Sequence, residues 1–454
     1  MHSLIALSAL VGSSQAITQN ILYSPDEYQF DPLEHLAGIA PYFSPQDPPL
    51  SPAPPQGCNV TRASYLIRHA AIYANDFDYE SYIEPFTDKL KNNSADFSKS
   101  QSLSFLSTWV DPIDEDRDME KLTKIGELEA MSLGVELDRR YPGFAPPKKV
   151  WTSTAERTVK SAQSLINGLD RTSNMSVLTQ VSEEEDMGAN SLTPYKGCSA
   201  YSSSRGSDQS STFQKKYTAP IIARFRAEVP GFNWTASDIY GMQQLCGYES
   251  VIRGTSPFCS LSLFSPDEWL AFEYTNDLMY HHNTGYGNPI SAVLGYPWLK
   301  ASAASLFSAS DDAQDLYVSF THRELPPTVL VAMGLFNNSA YAGTNSPNAS
   351  MPTDVINHRR AWKSSAILPF LTNIAIEKMS CDSYGFEDAG DEFYRTLVNS
   401  SPQPLQGCND GPGESCARAS FEKWVQERGE MFGDFAEKCG SQSNESNVLS
   451  IYEQ

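Results

Sequence analysis

The sequence predicts an α/β fold: a sheet with helices on both faces and a smaller α-helical domain inserted into it. Three observations carry this. Three short apolar runs, at residues 63–67, 150–152 and 316–321, read as buried strands. Each is followed by a cationic or imidazole residue, at Arg68-His69, Arg157 and His322, and by helical text, the alternation of an α/β sheet. Residues 213–282 carry apolar residues at helical spacing, and that stretch is expected to form the insertion. A chain of 454 residues, 40% hydrophobic, is long enough for a large core.

Taken in order, residues 4–11 form an apolar run too short to span a bilayer, and Ser14-Gln15-Ala16 is a small-x-small cleavage site. Residues 1–16 are therefore predicted to be a signal peptide, and the mature chain to begin near Ile17 and be secreted. Residues 17–57 are polar and proline-rich and predict an extended arm lying on the surface. Tyr65-Leu66-Ile67 forms the first strand and stops at Arg68-His69. Tyr82, Ile83, Phe86 and Leu90 follow at helical spacing. Residues 122–138 predict an amphipathic helix capped by Thr123, with Glu127 and Glu129 near its positive end.

Val150-Trp151-Thr152 is the second strand, and residues 155–169 a helix with Val159, Ala162, Leu165 and Ile166 on one face. Ser191–Thr212 reads as a loop, rich in Ser and Gly. Helices are expected at Phe213–Ala227, Ser237–Ser250 and Asp267–Tyr280, before a glycine-rich loop at Asn283–Pro289. Leu316–Thr321 is the third strand. It runs into His322-Arg323-Glu324, and Pro326 and Pro327 suit the first turn of the next helix. Residues 363–377 are strand or helix, and a closing helix lies near Phe421–Phe432. This division places 58–75, 145–195 and 295–454 in the α/β core, and 76–144 and 196–294 in the helical cap.

Charge and cysteine content narrow the function. With 33 basic residues against 55 acidic, a net charge of -22 repels nucleic acid and anionic membranes, so neither is an expected partner. The eight cysteines include no CxxC pair of the metal-binding kind and suit disulfides in an oxidising compartment, although spacing leaves the connectivity open. N-x-S/T sequons at Asn59, Asn92, Asn174, Asn233, Asn337, Asn348, Asn399 and Asn444 point the same way.

The chemistry follows from Arg68, His69, Arg157 and His322, which the pattern places at one sheet edge. There, two imidazoles and two guanidinium forks make an anion site with a nucleophile. A neutral imidazole can attack phosphorus, the arginines stabilise the transferring oxygens, and Glu324 can protonate the leaving alkoxide. This chemistry calls for no metal and no cofactor. No P-loop, G-x-S-x-G, H-E-x-x-H or dinucleotide fingerprint is present.

The stretch Gly57–Ala74, with Leu122–Gly126, Ser153–Arg157, Pro257–Trp269, Gly285–Pro289 and Phe320–His322 through to Asn337, resembles the histidine acid phosphatases, the branch holding fungal phytases, whose signature is R-H-G-x-R-x-P. The resemblance implies a phosphoglycerate-mutase-like, three-layer α/β domain with a smaller α-domain. It also implies disulfides Cys58–Cys381, Cys198–Cys439, Cys246–Cys259 and Cys408–Cys416. By residue, His69 resembles the nucleophile, Arg68 and Arg157 the phosphate arginines, and His322 the second phosphate-site histidine. Glu324 resembles the acid of the H-A-E variant.

The sequence departs from the pattern at Ala70, at Ala74 and above all at Ile72, where the second motif arginine belongs. Losing one preorganised donor costs about 10²–10³ in rate. Arg323, where many relatives carry the aspartate acid, is the candidate replacement. Met279-Tyr280 stands where phytase-type members carry a lysine pair, so phytate is not the first choice of substrate. The leading reading is a secreted acid phosphatase acting on small phosphomonoesters through phosphohistidine. One alternative is a phosphatase-fold protein of low turnover that binds an anionic ligand. Another is a phosphatase for less charged, more hydrophobic esters.

Overall fold

A computed structural model of the chain describes residues 30–45, 48–170, 176–310, 312–339, 343–344, 346–382, 390–440 and 447–453. The chain separates into residues 1–31 and 32–454. Of the first unit only Phe30 and Asp31 are described, so the expected signal peptide lies outside the described residues, as do Asn174 and Asn444. All the strands and helices named below belong to the second unit.

The chain enters the sheet through β1 (Cys58–Arg68), longer than its apolar centre suggests, with every residue from Ala63 on buried. A helical stretch comes next, in which a wide π-turn at Tyr79–Ile83 leads into α1 (Glu84–Lys91). α2 (Lys124–Arg140) starts where Thr123 accepts a hydrogen bond from the Gly126 amide. β2 (Lys149–Thr152) and α3 (Glu156–Leu169) come next, then β3 (Val177–Gln180). The insertion contains α4 (Ser207–Glu228), α5 (Ala236–Arg253) and α6 (Pro266–Asn283). Capping boxes open two of these, Thr235 with Asp238 and Ser265 with Glu268. α7 (Ser291–Phe307) leads to β4 (Leu316–Thr321) and α8 (Leu325–Met333). The chain closes with β5 (Asn373–Cys381), β6 (Glu392–Val398), β7 (Ser401–Gln403), β8 (Cys416–Ala417) and α9 (Arg418–Phe432).

The strands form one sheet in the order β3-β2-β4-β1-β5-β6-β7, with β8 on β6. β3, β2, β4 and β1 are parallel, and β5 turns the sheet antiparallel. Arg68 pairs with Thr321 and Thr152 with Phe320, so three strands end at one edge. The disulfides are Cys58–Cys381, Cys198–Cys439, Cys246–Cys259 and Cys408–Cys416, the pairing that the resemblance implies.

Five expectations need correction. The arm does not lie wholly on the surface: Leu36–Ala40, a short apolar stretch inside an otherwise polar, proline-rich segment, are buried. α4 begins at Ser207, inside the expected loop, from a Gly206 with φ of 94°. α7 is absent from the sequence-based expectation, because its buried residues lie all round the helix and leave no amphipathic stripe. α2, expected in the cap, packs instead along α3, where a Cβ at Gly134 would overlap the Leu165 carbonyl and one at Gly168 the Met131 carbonyl. Arg140 and Tyr141, at its end, bond Glu377 of β5 at 2.8 and 2.6 Å. Finally, the Asn399 sequon is unsuited to a glycan. Its side chain is buried, accepts from Thr372 and the Asn373 amide, and donates to Ala366.

Candidate active site

Because β1, β2 and β4 end together, the residues that leave them meet at one edge. Arg68, His69, Arg157, His322, Arg323 and Glu324 line a single cavity of about 40 Å³, together with Ile72, Asn75 and Tyr248. One water needs roughly 10–15 Å³, so the cavity suits a group of a few heavy atoms.

His69 is buried, and its Nδ1 lies 2.9 Å from the Ala70 carbonyl. A carbonyl only accepts, so Nδ1 carries the proton and Nε2 keeps its lone pair. Burial, and then the charges of Arg68, Arg157 and His322, hold the ring well below its ordinary pKa. The result is a neutral imidazole among cations. Its backbone is pinned as well. The His69 amide donates to Thr321 at 2.9 Å, its carbonyl accepts from Leu371 at 3.2 Å, and the Ala70 amide donates to Ser161 Oγ at 2.9 Å.

Arg68 is held by neutral groups. Its Nη1 donates to the carbonyls of Gly38 and Leu368, its guanidinium lies 4.6 Å over the Phe370 ring, and its Nε has no partner. Burial and the neighbouring Arg323 lower it to about 10, so it stays a cation at any working pH. A buried cation with no carboxylate against it is costly until an anion arrives. The Gly38 contact ties the buried part of the arm to Arg68.

Arg157, in the first turn of α3, bonds Glu120 Oε2 at 2.8 Å, and Asn75 Nδ2 donates to Glu120 Oε1 at 3.0 Å. Glu120 takes a left-handed φ of 58°, and its amide donates to Ala74 at 2.8 Å. It therefore ties the arginine to the loop after His69. Ile72, buried and bridged to Leu122, adds a wall with no donor. Arg323 lines the same cavity, with Nε 3.0 Å from Glu324 Oε1. Burial pushes the Glu324 carboxyl up, but Arg323 and His322 outweigh it and hold it below the usual range.

His322 stands with its ring centroid 5.8 Å from that of His69, and its Nε2 lies 3.2 Å from Glu183 Oε1. Sequence reasoning missed Glu183 and Glu120. Each lies in an acidic, surface-like stretch, and only the fold carries it to the site.

Comparison with known proteins identifies the family. The model of the histidine phosphatase superfamily (branch 2) matches residues 59–399. The chain belongs to that family. This histidine phosphatase is 28% identical to the phytase PHO112 of Candida albicans, over 98% of this chain and 95% of the relative. It is also 28% identical to the acid phosphatase PHO1 of Komagataella pastoris, over 93% and 89%. Among solved structures, the phytase from D. castellii matches with a TM-score of 0.83 and 25% identity, covering 96% of this chain and 94% of that one. The multiple inositol polyphosphate phosphatase of Bifidobacterium longum shares the fold, with a TM-score of 0.60 at 12% identity, over 83% and 94%. The chain is a phosphoric monoester hydrolase with an α/β fold.

Proposed function

We propose that this histidine phosphatase is a secreted acid phosphatase that hydrolyses small phosphomonoesters through a phosphohistidine at His69. The observation that carries the reading is the neutral, buried imidazole with a free Nε2, ringed by Arg68, Arg157, Arg323 and His322. Nε2 attacks phosphorus, the P–O ester bond breaks, and the leaving oxygen takes a proton from Glu324. Water then attacks the phosphohistidine and gives its proton to Glu324. Phosphate leaves, and His69 is neutral again.

In the empty site Arg323 favours the ionised form of Glu324. A bound phosphoryl dianion draws on that arginine, so the carboxyl gains a proton more readily in the complex and at acid pH. Arg323 takes the place that Ile72 leaves vacant, because it supplies a guanidinium to the same cavity.

Secretion is supported by the four disulfides and by the sequons on exposed Asn59, Asn92, Asn233 and Asn348 and half-exposed Asn337. No helix among the described residues is long and apolar enough to cross a membrane. A second reading concerns the substrate. Ile72 and Tyr248 line the cavity, and Tyr280 adds a phenol rather than an ammonium near Arg323. These walls favour a less charged, more hydrophobic ester over phytate.

The test is hydrolysis of an aryl phosphate, an alkyl phosphate and phytate across pH 3–8 by the wild type and His69→Ala, with acid-labile and base-stable phosphoprotein trapped by rapid quench. Turnover at acid pH, lost with the trapped phosphate in His69→Ala, is expected. Turnover that survives the substitution sinks the mechanism. Phytate as the best substrate sinks the second reading.

A further inference from the structure

The third carboxylate near the site, Glu183, takes no part in the proposed phosphoryl transfer. It lies just past β3 and is half-buried. Four donors converge on it. Oε1 accepts from the Thr154 amide at 2.8 Å, from the Ala155 amide at 3.1 Å and from His322 Nε2 at 3.2 Å, while Oε2 takes Lys196 Nζ at 2.6 Å. Burial pushes the carboxyl up, yet the His322 and Lys196 bonds outweigh it and hold Glu183 well below the usual range. It is therefore an anion, and an anion only accepts.

This fixes the ring it touches. His322 Nε2 must carry a proton to bond Glu183, so the nitrogen left for the cavity is Nδ1. The same carboxylate holds the two amides at the start of α3, which also carries Arg157. One anion thus ties the β2–α3 loop to the residue that leaves β4. A histidine hydrogen-bonded on its far side keeps one tautomer and one orientation, and such outer partners raise the precision of the inner group.

Resting on the reading of His322 as a phosphate-site residue, we propose that Glu183 is a positioning residue that holds the orientation of His322, with Nδ1 left for the cavity, for phosphoryl transfer. It touches no substrate and donates no proton; it acts through the imidazole. Lys196 neutralises its outer oxygen and keeps the carboxylate from drawing on the site's cations.

The test is a double-mutant cycle on aryl phosphate hydrolysis with Glu183→Ala, His322→Ala and the pair. Thermal midpoints are measured alongside. Glu183→Ala is expected to lower kcat about 10- to 100-fold, the range for removing an outer partner of a functional histidine, and to have no further effect once His322 is alanine. Glu183→Gln keeps an acceptor for Nε2–H and for both amides, so it is expected to recover most of the loss. Should Glu183→Ala not fold, Glu183→Asp, which keeps the carboxylate but is one methylene too short for this oxygen's place, carries the same cycle. An equal loss in the wild-type and His322→Ala backgrounds overturns the proposal and makes Glu183 a support of the loop. A Gln variant no better than Ala overturns it too. His322→Ala with unchanged kcat would instead refute the reading of the site, a separate outcome.

Discussion

Replacing Arg323 with alanine tests the most unusual feature of the site. Its Nε lies 3.0 Å from Glu324 Oε1, and both side chains are mostly buried, at 27% and 22% exposure. An opposite charge at this range favours the ionised carboxylate, and here it outweighs burial and holds the Glu324 carboxyl below its usual range. The acid must be protonated to act, so activity falls as pH rises through its pKa. Removing Arg323 lifts that pKa, and the basic limb of kcat/KM should move to higher pH. The stability effect has the opposite sense. In the wild type the pair stabilises the fold above the unfolded carboxyl value of about 4.3, and this is lost as pH falls through the depressed folded value. Arg323→Ala lacks that acid-sensitive increment.

The same change removes a donor from the phosphate site. A charged hydrogen bond is worth about 1.5–3 kcal/mol, so inhibition by inorganic phosphate should weaken about 10- to 100-fold. The assay is aryl phosphate hydrolysis across pH 3–8 with and without phosphate. An unmoved basic limb together with unchanged phosphate inhibition would show that Arg323 neither restrains Glu324 nor replaces the motif arginine.

Restoring the motif arginine alone, as Ile72→Arg, should lower both activity and thermal midpoint, because a further guanidinium would enter a cavity that already holds Arg68, Arg157 and Arg323. Ile72→Arg combined with Arg323→Asp should regain activity over the single variant, measured as kcat/KM on one ester. At Gly126 a Cβ would overlap the Ala71 carbonyl oxygen, so Gly126→Ala should cost about 1–3 kcal/mol in denaturant unfolding and reduce kcat by shifting the loop after His69. Replacing Cys58 and Cys381 by serine opens a link between residues 323 apart, and an unfolding titration should show a loss of about 2–5 kcal/mol.

The strands that carry the chemistry are legible in the amino-acid order alone. A short apolar run that breaks at a charged or imidazole residue leaves little freedom in strand position, so 63–67, 150–152 and 316–321 all lie within strands. The residues able to form an anion site are legible too, since Arg68, His69, His322, Arg323 and Glu324 are charged or imidazole types at strand ends and Arg157 opens the helix that follows β2. Local capping chemistry sets the start of α2 at Thr123.

Everything else depends on contacts distant in the chain. α7 is buried on every side, and burial without a stripe erases the helical period. The Leu36–Ala40 segment supports the site only because the Gly38 carbonyl meets Arg68, 30 residues away. Glu120 and Glu183 look like surface acids until the fold sets them against Arg157 and His322, 37 and 139 residues distant in the chain. The folded chain also decides where Arg323 goes. Next to Glu324 in sequence it could have faced solvent, but the turn from β4 into α8 directs it into the cavity that Ile72, Arg68 and Arg157 also line. A local pattern sets backbone periodicity, whereas a side chain's charge environment is the sum over every element packed around it, and that sum exists only once the chain has folded.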